Sequence, residues 1–193
     1  MLQINDCDVF DSIEPQDLWC LDKLILARRL GYYCGPAGVT PKPGTYIVRP
    51  IMNQRMMSRG ASLEYLDSDS VPDGYFWSEQ FCGRHLSFDY CYGVQVLAVE
   101  GFRNSQRLDR FSSWTRVADV FVLPSILQAV ADRYPHFNAE VVGGHIIEVH
   151  FRYNDDFVNH TAQTVIPVWR DEFYQSACGD RLGFILRNTD VNN

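Results

Sequence analysis

Three side chains able to carry metal or phosphate chemistry stand at alternate positions in HIIEVHFR, residues 145–152: Glu148, His150 and Arg152. In a strand, alternation puts these three on one face and Ile147, Val149 and Phe151 on the other. The polar face then offers a carboxylate, an imidazole and a guanidinium in steps of about 7 Å. Tyr153-Asn154-Asp155-Asp156 follows with further oxygen donors. Such clusters suit magnesium, which takes one or two carboxylates and leaves its other positions to water and phosphate. The alternative is a half-exposed antiparallel strand whose polar face is simply solvated. His145 and His150 fall on opposite faces of the strand, which argues against a shared zinc ion.

The partner strand decides how many carboxylates meet. Ala139–Val142, Gly143-Gly144 and His145–Phe151 read as a β-hairpin. A two-residue turn pairs Val142 with His145 and puts Ala139 opposite Glu148. A three-residue loop puts Asn138 opposite Glu148 and Glu140 on the same face. Only the second lets Glu140 share a metal with Glu148, and both registers stay open.

Cations occur at the other end of the chain. GTYIVRP (44–50) is a strand closed by Arg49, which can meet a phosphate directly. The loop NQRMMSRGAS (53–62) follows, where Ser58, Arg59 and Gly60 can fold over such a group, glycine permitting close backbone approach. Met56-Met57 at its tip suggests a lid. In FWSEQFCGRHLSFDY (76–90), Glu79-Gln80 end an aromatic strand and Gly83 begins a turn, a crossover whose backbone can read an adenine edge; an ordinary hairpin is the alternative.

Several elements must position these groups. The spacing of Leu18, Leu21, Leu24 and Ile25 predicts a helix over Pro15–Leu30, stopped by Gly31. Gly35–Gly44 is a loop, Tyr46–Val48 a short buried strand broken by Pro50, and Ser68–Gly74 a turn-rich linker. Between residues 75 and 102 the pattern is strand-like, with Leu86, Phe88, Tyr90 and Tyr92 alternating before a turn at Gly93. A second helix fits Pro124–Tyr134, and strands fit Thr164–Val168 and Leu182–Leu186. The basic-aromatic stretch Arg107–Arg116 reads as a solvated connection. Strands and helices without βαβ alternation indicate an α+β domain over 17–187, between an irregular lead-in (1–16) and a polar tail (188–193).

With a formal net charge of −7, the chain lacks the basic surplus of a general nucleic-acid binder, though a local basic pocket remains compatible. Its six cysteines show no C-x-x-C spacing and read as reduced thiols. The acidic N-terminus lacks a signal-peptide pattern, and no apolar run reaches membrane-spanning length, so the expected location is cytoplasmic.

Taken in order, these motifs resemble the ATP-grasp superfamily. Its pattern runs from a helix near "D-K", through "G-x-x-x-P" and a strand ending in Lys or Arg plus Pro, to a Gly/Ser-rich phosphate loop. A hinge "E-x-x-x-G-x-E" and a metal strand "E-x-N-x-R" complete it. This chain offers Asp22-Lys23, Gly31 with Pro36, Ile47-Val48-Arg49-Pro50, Ser58-Arg59-Gly60, Glu79 with Gly83, and Glu148-Val149-His150-Phe151-Arg152, spanning roughly 17–155. The resemblance implies two small α+β lobes clasping a nucleotide cleft, and ATP- and Mg²⁺-dependent ligation of a carboxylate to an amine through an acyl-phosphate. It implies that Lys23 and Arg49 contact the ATP phosphates and that Ser58, Arg59 and Gly60 form the lid. Glu79, Gln80 and Phe81 line the adenine pocket. Glu148, with Glu140 and His150, holds magnesium, and Arg152 and Arg49 steady the transferring phosphoryl group. The acceptor is a small-molecule or peptide carboxylate.

The chain departs from the pattern at three points. His150 replaces an asparagine, and His85 replaces the second hinge glutamate. The N-terminal domain that commonly helps form the acceptor site is missing, so a partner chain or second copy is expected to complete it. A non-catalytic relative, kept as a binding, structural or assembly module, is the alternative function.

Overall fold

The computed structural model describes residues 9–52, 60–104, 107–154, 156–169 and 181–188. Its first segment departs from the expected single helix. Phe10–Ser12 and Pro15–Leu21 are 3-10 turns, and within the expected span Lys23–Arg29 (α1) is α-helical. Asp22 causes the break: its backbone is extended, and its carboxylate accepts from Ile25 N at 2.8 Å, capping α1. A good cap interrupts a run that apolar spacing alone would have continued. Gly31, at φ 80°, follows the helix.

Eleven described strands form two antiparallel sheets. The smaller contains β1 (Cys34–Pro36), β2 (Gly44–Pro50), β3 (Ser62–Leu66) and β4 (Tyr75–Glu79), in the order β1-β4-β2-β3. Strand β2 thus runs through Pro50 rather than stopping at Val48, and it shows the two-residue period clearly. Tyr46 and Val48 join Leu66, Val71 and Trp77 in the core of that sheet, while Ile47 and Arg49 face a cleft.

The larger sheet has seven strands: β5 (His85–Cys91), β6 (Val94–Phe102), β7 (Ser113–Arg116), β8 (Phe137–Val142), β9 (His145–His150), β10 (Thr164–Trp169) and β11 (Arg181–Arg187). Their order is β11-β10-β7-β6-β5-β8-β9. The second helix, α2 (Ser125–Ala131), starts after Pro124 as expected. Leu127, Val130 and Ala131 pack with Phe88, Phe137, Ala139, Val141, Ile146 and Val149 into the main core, which also receives Leu21 and Leu26. Leu24 and Ala27, on another side of α1, pack on Phe76 of the small sheet. One short helix therefore ties the two sheets together.

Segment 107–116 is not a solvated connection. Phe111 and Trp114 are buried with Val99, Phe157 and Val165. Arg116 turns inward and donates to the carbonyls of Ala162, Phe157 and His160. Arg110 packs over the Trp169 ring and Arg107 pairs with Asp109 at the surface, so a stretch that reads as polar by composition is largely structural.

The sheets are joined by residues 80–84, and this crossover lies backbone-to-backbone on the β8–β9 turn. Gly143 N donates to Arg84 O at 3.0 Å. A Cβ on Gly143 would stand 2.1 Å from the Cys82 carbonyl oxygen, and one on Gly83 2.9 Å from Gly143 Cα, so neither position admits a side chain. No helix among the described residues is long and apolar enough to cross a membrane.

Candidate functional site

The hairpin resolves the register question in a way neither simple register foresaw. The turn has two residues, Gly143 and Gly144, both at positive φ, and Val142 pairs with His145. Yet Glu140 lies directly opposite Glu148, because a β-bulge between these pairings leaves Ile147 as an extra residue on β9. The bulge reassigns faces. Ile146, not Ile147, joins Val149 and Phe151 in the core, and Ile147 lines the cleft. One inserted residue therefore gives a tight turn and a facing carboxylate pair together.

The cleft lies between the sheets, with a volume of about 120 Å³. That is below the ~300–1,000 Å³ of sites that enclose a whole drug-sized ligand, so these walls suit part of a nucleotide. The small sheet supplies Ile47, Arg49 and Ser78, the crossover Glu79, Gln80 and Phe81, and the large sheet His85, Val142 and Ile147. Arg103 and Leu108, just beyond β6, complete one side. The expected hinge residues thus do line the space between the lobes. Glu79 is partly committed: its carboxylate accepts from Tyr33 N at 2.8 Å. Phe81 stacks flat on His145, with centroids 4.1 Å apart.

Arg49 is the cation of the cleft. It is buried, its guanidinium lies 5.1 Å from the centre of the Phe76 ring, its cross-strand neighbour, and its Nε has no hydrogen-bond partner. Burial pulls its pKa down, while Glu148 and then Glu140 act to restore it. Arginine stays protonated regardless, so a buried charge here faces two carboxylates with its Nε donor unmet.

Behind the cleft wall sits a buried acid–base cluster. Lys23 Nζ, in the first turn of α1, lies 3.2 Å from Glu148 Oε1, with both side chains about 5% exposed. His150 Nε2 is 3.5 Å from the same oxygen and 3.9 Å from Glu140 Oε1. Glu140 Oε2 is 3.1 Å from His85 Nε2. Burial alone would raise the Glu140 pKa, but the His85 hydrogen bond, the neighbouring histidines and Lys23 outweigh it and hold the carboxyl at about 2. Further along this face, Asn138 donates to Ser87 and Asp89, and Asp89 accepts from Asn154 N.

Lys23, Arg49, Glu79, Gln80, Phe81, Glu140, Glu148 and His150 therefore gather around one cleft and the cluster behind it. Arg152 does not line it; the residue lies past the end of β9 and donates to Tyr153 O at 3.3 Å. Gly60, at φ 78°, lies beside Tyr75 and Pro50, and Ser58 and Arg59 fall outside the described residues. Arg103 was missed from sequence, because a single arginine after a strand carries no distinguishing signal. His85 showed only as a departure from a motif.

Among the described residues, no group of three or more His, Cys, Asp or Glu side chains is arranged to hold a metal ion. Two carboxylates on adjacent strands are nevertheless the protein share that magnesium commonly takes, and the unpartnered Arg49 nitrogen suits a phosphate oxygen.

No protein-family model matches the chain, and no curated protein matches by sequence. Solved structures do. A protein assigned to the ATP-grasp superfamily from Archaeoglobus fulgidus superimposes with a TM-score of 0.51 at 18% identity, over 89% of this chain and 64% of that one. The ATP-grasp ligase PsnB (TM-score 0.46, 11% identity, 73% of this chain and 55% of that one) and D-alanine–D-alanine ligase from Bacillus anthracis (0.43, 15%, 69% and 57%) are further matches. The chain spans less than two thirds of the length of each.

Proposed function

We propose that this chain, whose two sheets form an ATP-grasp-like fold, binds ATP with magnesium and activates a carboxylate for ligation to an amine or similar nucleophile. The observation that carries this reading is the buried Arg49 guanidinium, with one nitrogen unpartnered, in an inter-sheet cleft within electrostatic reach of the facing pair Glu140 and Glu148. An unmet buried donor costs about 1–3 kcal/mol, a cost that an incoming phosphate oxygen removes. In this reading Arg49 and Lys23 bind phosphates, Glu79, Gln80 and Phe81 border the base, and Glu148 and Glu140 hold magnesium. The metal, when bound, offsets charge on the phosphates.

Carboxylates are poor electrophiles because an oxide leaves badly. Attack of the acceptor oxygen on the γ-phosphorus breaks the bond to ADP and gives an acyl-phosphate. An amine then attacks the carbonyl, releasing phosphate and a proton. The residues contribute positioning and charge neutralisation. The acceptor is a small-molecule or peptide carboxylate, with a partner chain or second copy completing its site.

The test is nucleotide binding followed by turnover. ATP with magnesium at one hundred times its dissociation constant is expected to raise stability by about 2.7 kcal/mol, read as a thermal shift that ATP alone does not give. With an acceptor panel, Arg49→Ala is expected to lower turnover about 10²–10³-fold. Unchanged turnover in Arg49→Ala and Glu148→Ala would remove the assignment. A second reading, a non-catalytic binding or assembly module, is favoured by the Lys23–Glu148 ion pair, which already satisfies one carboxylate. Binding without turnover selects it; absence of binding excludes the nucleotide site.

A further inference from the structure

His85 has both ring nitrogens engaged, and the identity of its two partners fixes where its proton sits. On one side Arg103 Nη2 is 3.0 Å from Nδ1. A guanidinium can only donate, so Nδ1 must accept and carry no hydrogen. The ring's proton is therefore on Nε2, which donates to Glu140 Oε2 at 3.1 Å. Arg103 is itself held, with Nε donating to Leu108 O at 3.1 Å and its guanidinium 3.9 Å from the Phe111 ring centre. The His85 ring stands edge-on to Phe111 and Trp114, which stops it from turning. A fixed donor is thus delivered to one oxygen of Glu140, leaving Oε1 on the side of His150 and Glu148.

We infer that His85, oriented by Arg103, is a positioning residue that holds the Glu140 carboxylate in place as the second carboxylate of a divalent-cation site shared with Glu148. This rests on the nucleotide–magnesium reading above and deepens it. Carboxylates or imidazoles that bind metal are commonly oriented by such an outer hydrogen bond, whose loss costs about 10–100-fold in metal affinity. Here the outer group stands where the motif would place an acid. The substitution converts that position from a possible ligand into a support.

The experiment compares wild type with His85→Gln, which keeps an N–H near the Nε2 position, and His85→Phe, which keeps the ring contacts but not the donor. ATP binding is measured by calorimetry across a magnesium series and in metal-free buffer. His85→Phe is expected to raise the magnesium concentration needed for half-maximal binding by about 10–100-fold, with binding recovered at saturating magnesium. His85→Gln is expected to restore most of the loss. The inference is overturned if His85→Phe responds to magnesium like wild type, or if His85→Gln is as impaired as His85→Phe. Imidazole ¹⁵N spectra of the wild type give an arm that needs no ligand: a proton found on Nδ1 overturns the relay even if both variants misfold. A wild type that shows no magnesium-dependent ATP binding removes both this inference and the function it rests on, whereas normal wild-type binding shared by His85→Phe removes this one alone.

Discussion

The two faces of β5, β8 and β9 are both buried, but by different means. One face carries Phe88, Phe137, Ala139, Val141, Ile146 and Val149 against the helices, and burial there is favourable in itself. The other carries buried His85, Ser87, Asp89, Asn138, Glu148 and His150 with the half-buried Glu140, and burial there is costly unless each group finds a partner. Stability accounts for the first face. It does not account for the second, since apolar residues of similar volume commonly serve as well as a buried ion pair. The polar face, a hydrogen-bonded row next to a cleft, is where the proposed magnesium and nucleotide chemistry would sit.

This contrast can be broken at either face. The largest effect is expected from Phe137→Ala, which should cost about 3–5 kcal/mol in urea unfolding while leaving nucleotide affinity of the folded fraction unchanged. Glu148→Ala should cost a comparable or somewhat smaller amount, within about 3–5 kcal/mol, by leaving Lys23 buried without its counter-charge. The pair sharpens the contrast: Lys23→Met with Glu148→Leu should recover most of that stability but none of the magnesium-dependent ATP binding. If the double variant regained binding, the cluster would be structural only.

The smallest effect concerns acid. Glu140 has a folded pKa of about 2, below its ordinary 4.5, so its ionised form favours the folded state above pH 4.5, and that contribution is lost as pH falls from about 4.5 to 2. Glu140→Gln should flatten the dependence of melting temperature on pH within that window and nowhere else. An unchanged acid limb would mean that Glu140 is not held by its neighbours.

Much of the fold was legible from periodicity. The strand starting at His145, the Gly143-Gly144 turn and the apolar side of α2 all appear where spacing placed them. The chain direction was less so. Asp22 broke a helix because capping is a local hydrogen bond that apolar spacing does not register. The Ile147 bulge could not be read, since an extra residue leaves no mark in a pattern of period two until its partner strand is known. For the site, the charged positions on β9 and β2 could be found individually. The His85–Arg103 link could not, because its members are brought together only by the pairing of β5 with β6.

The glycine contact between the crossover and the hairpin tip has one more consequence. With main chain pressed against main chain at Gly83 and Gly143, the connection between the sheets is seated on the hairpin tip and is not a loose tether. That seat stands at the root of the same strands that carry Glu140 and Glu148. The placing of the acid pair is thereby tied to the connection between the sheets.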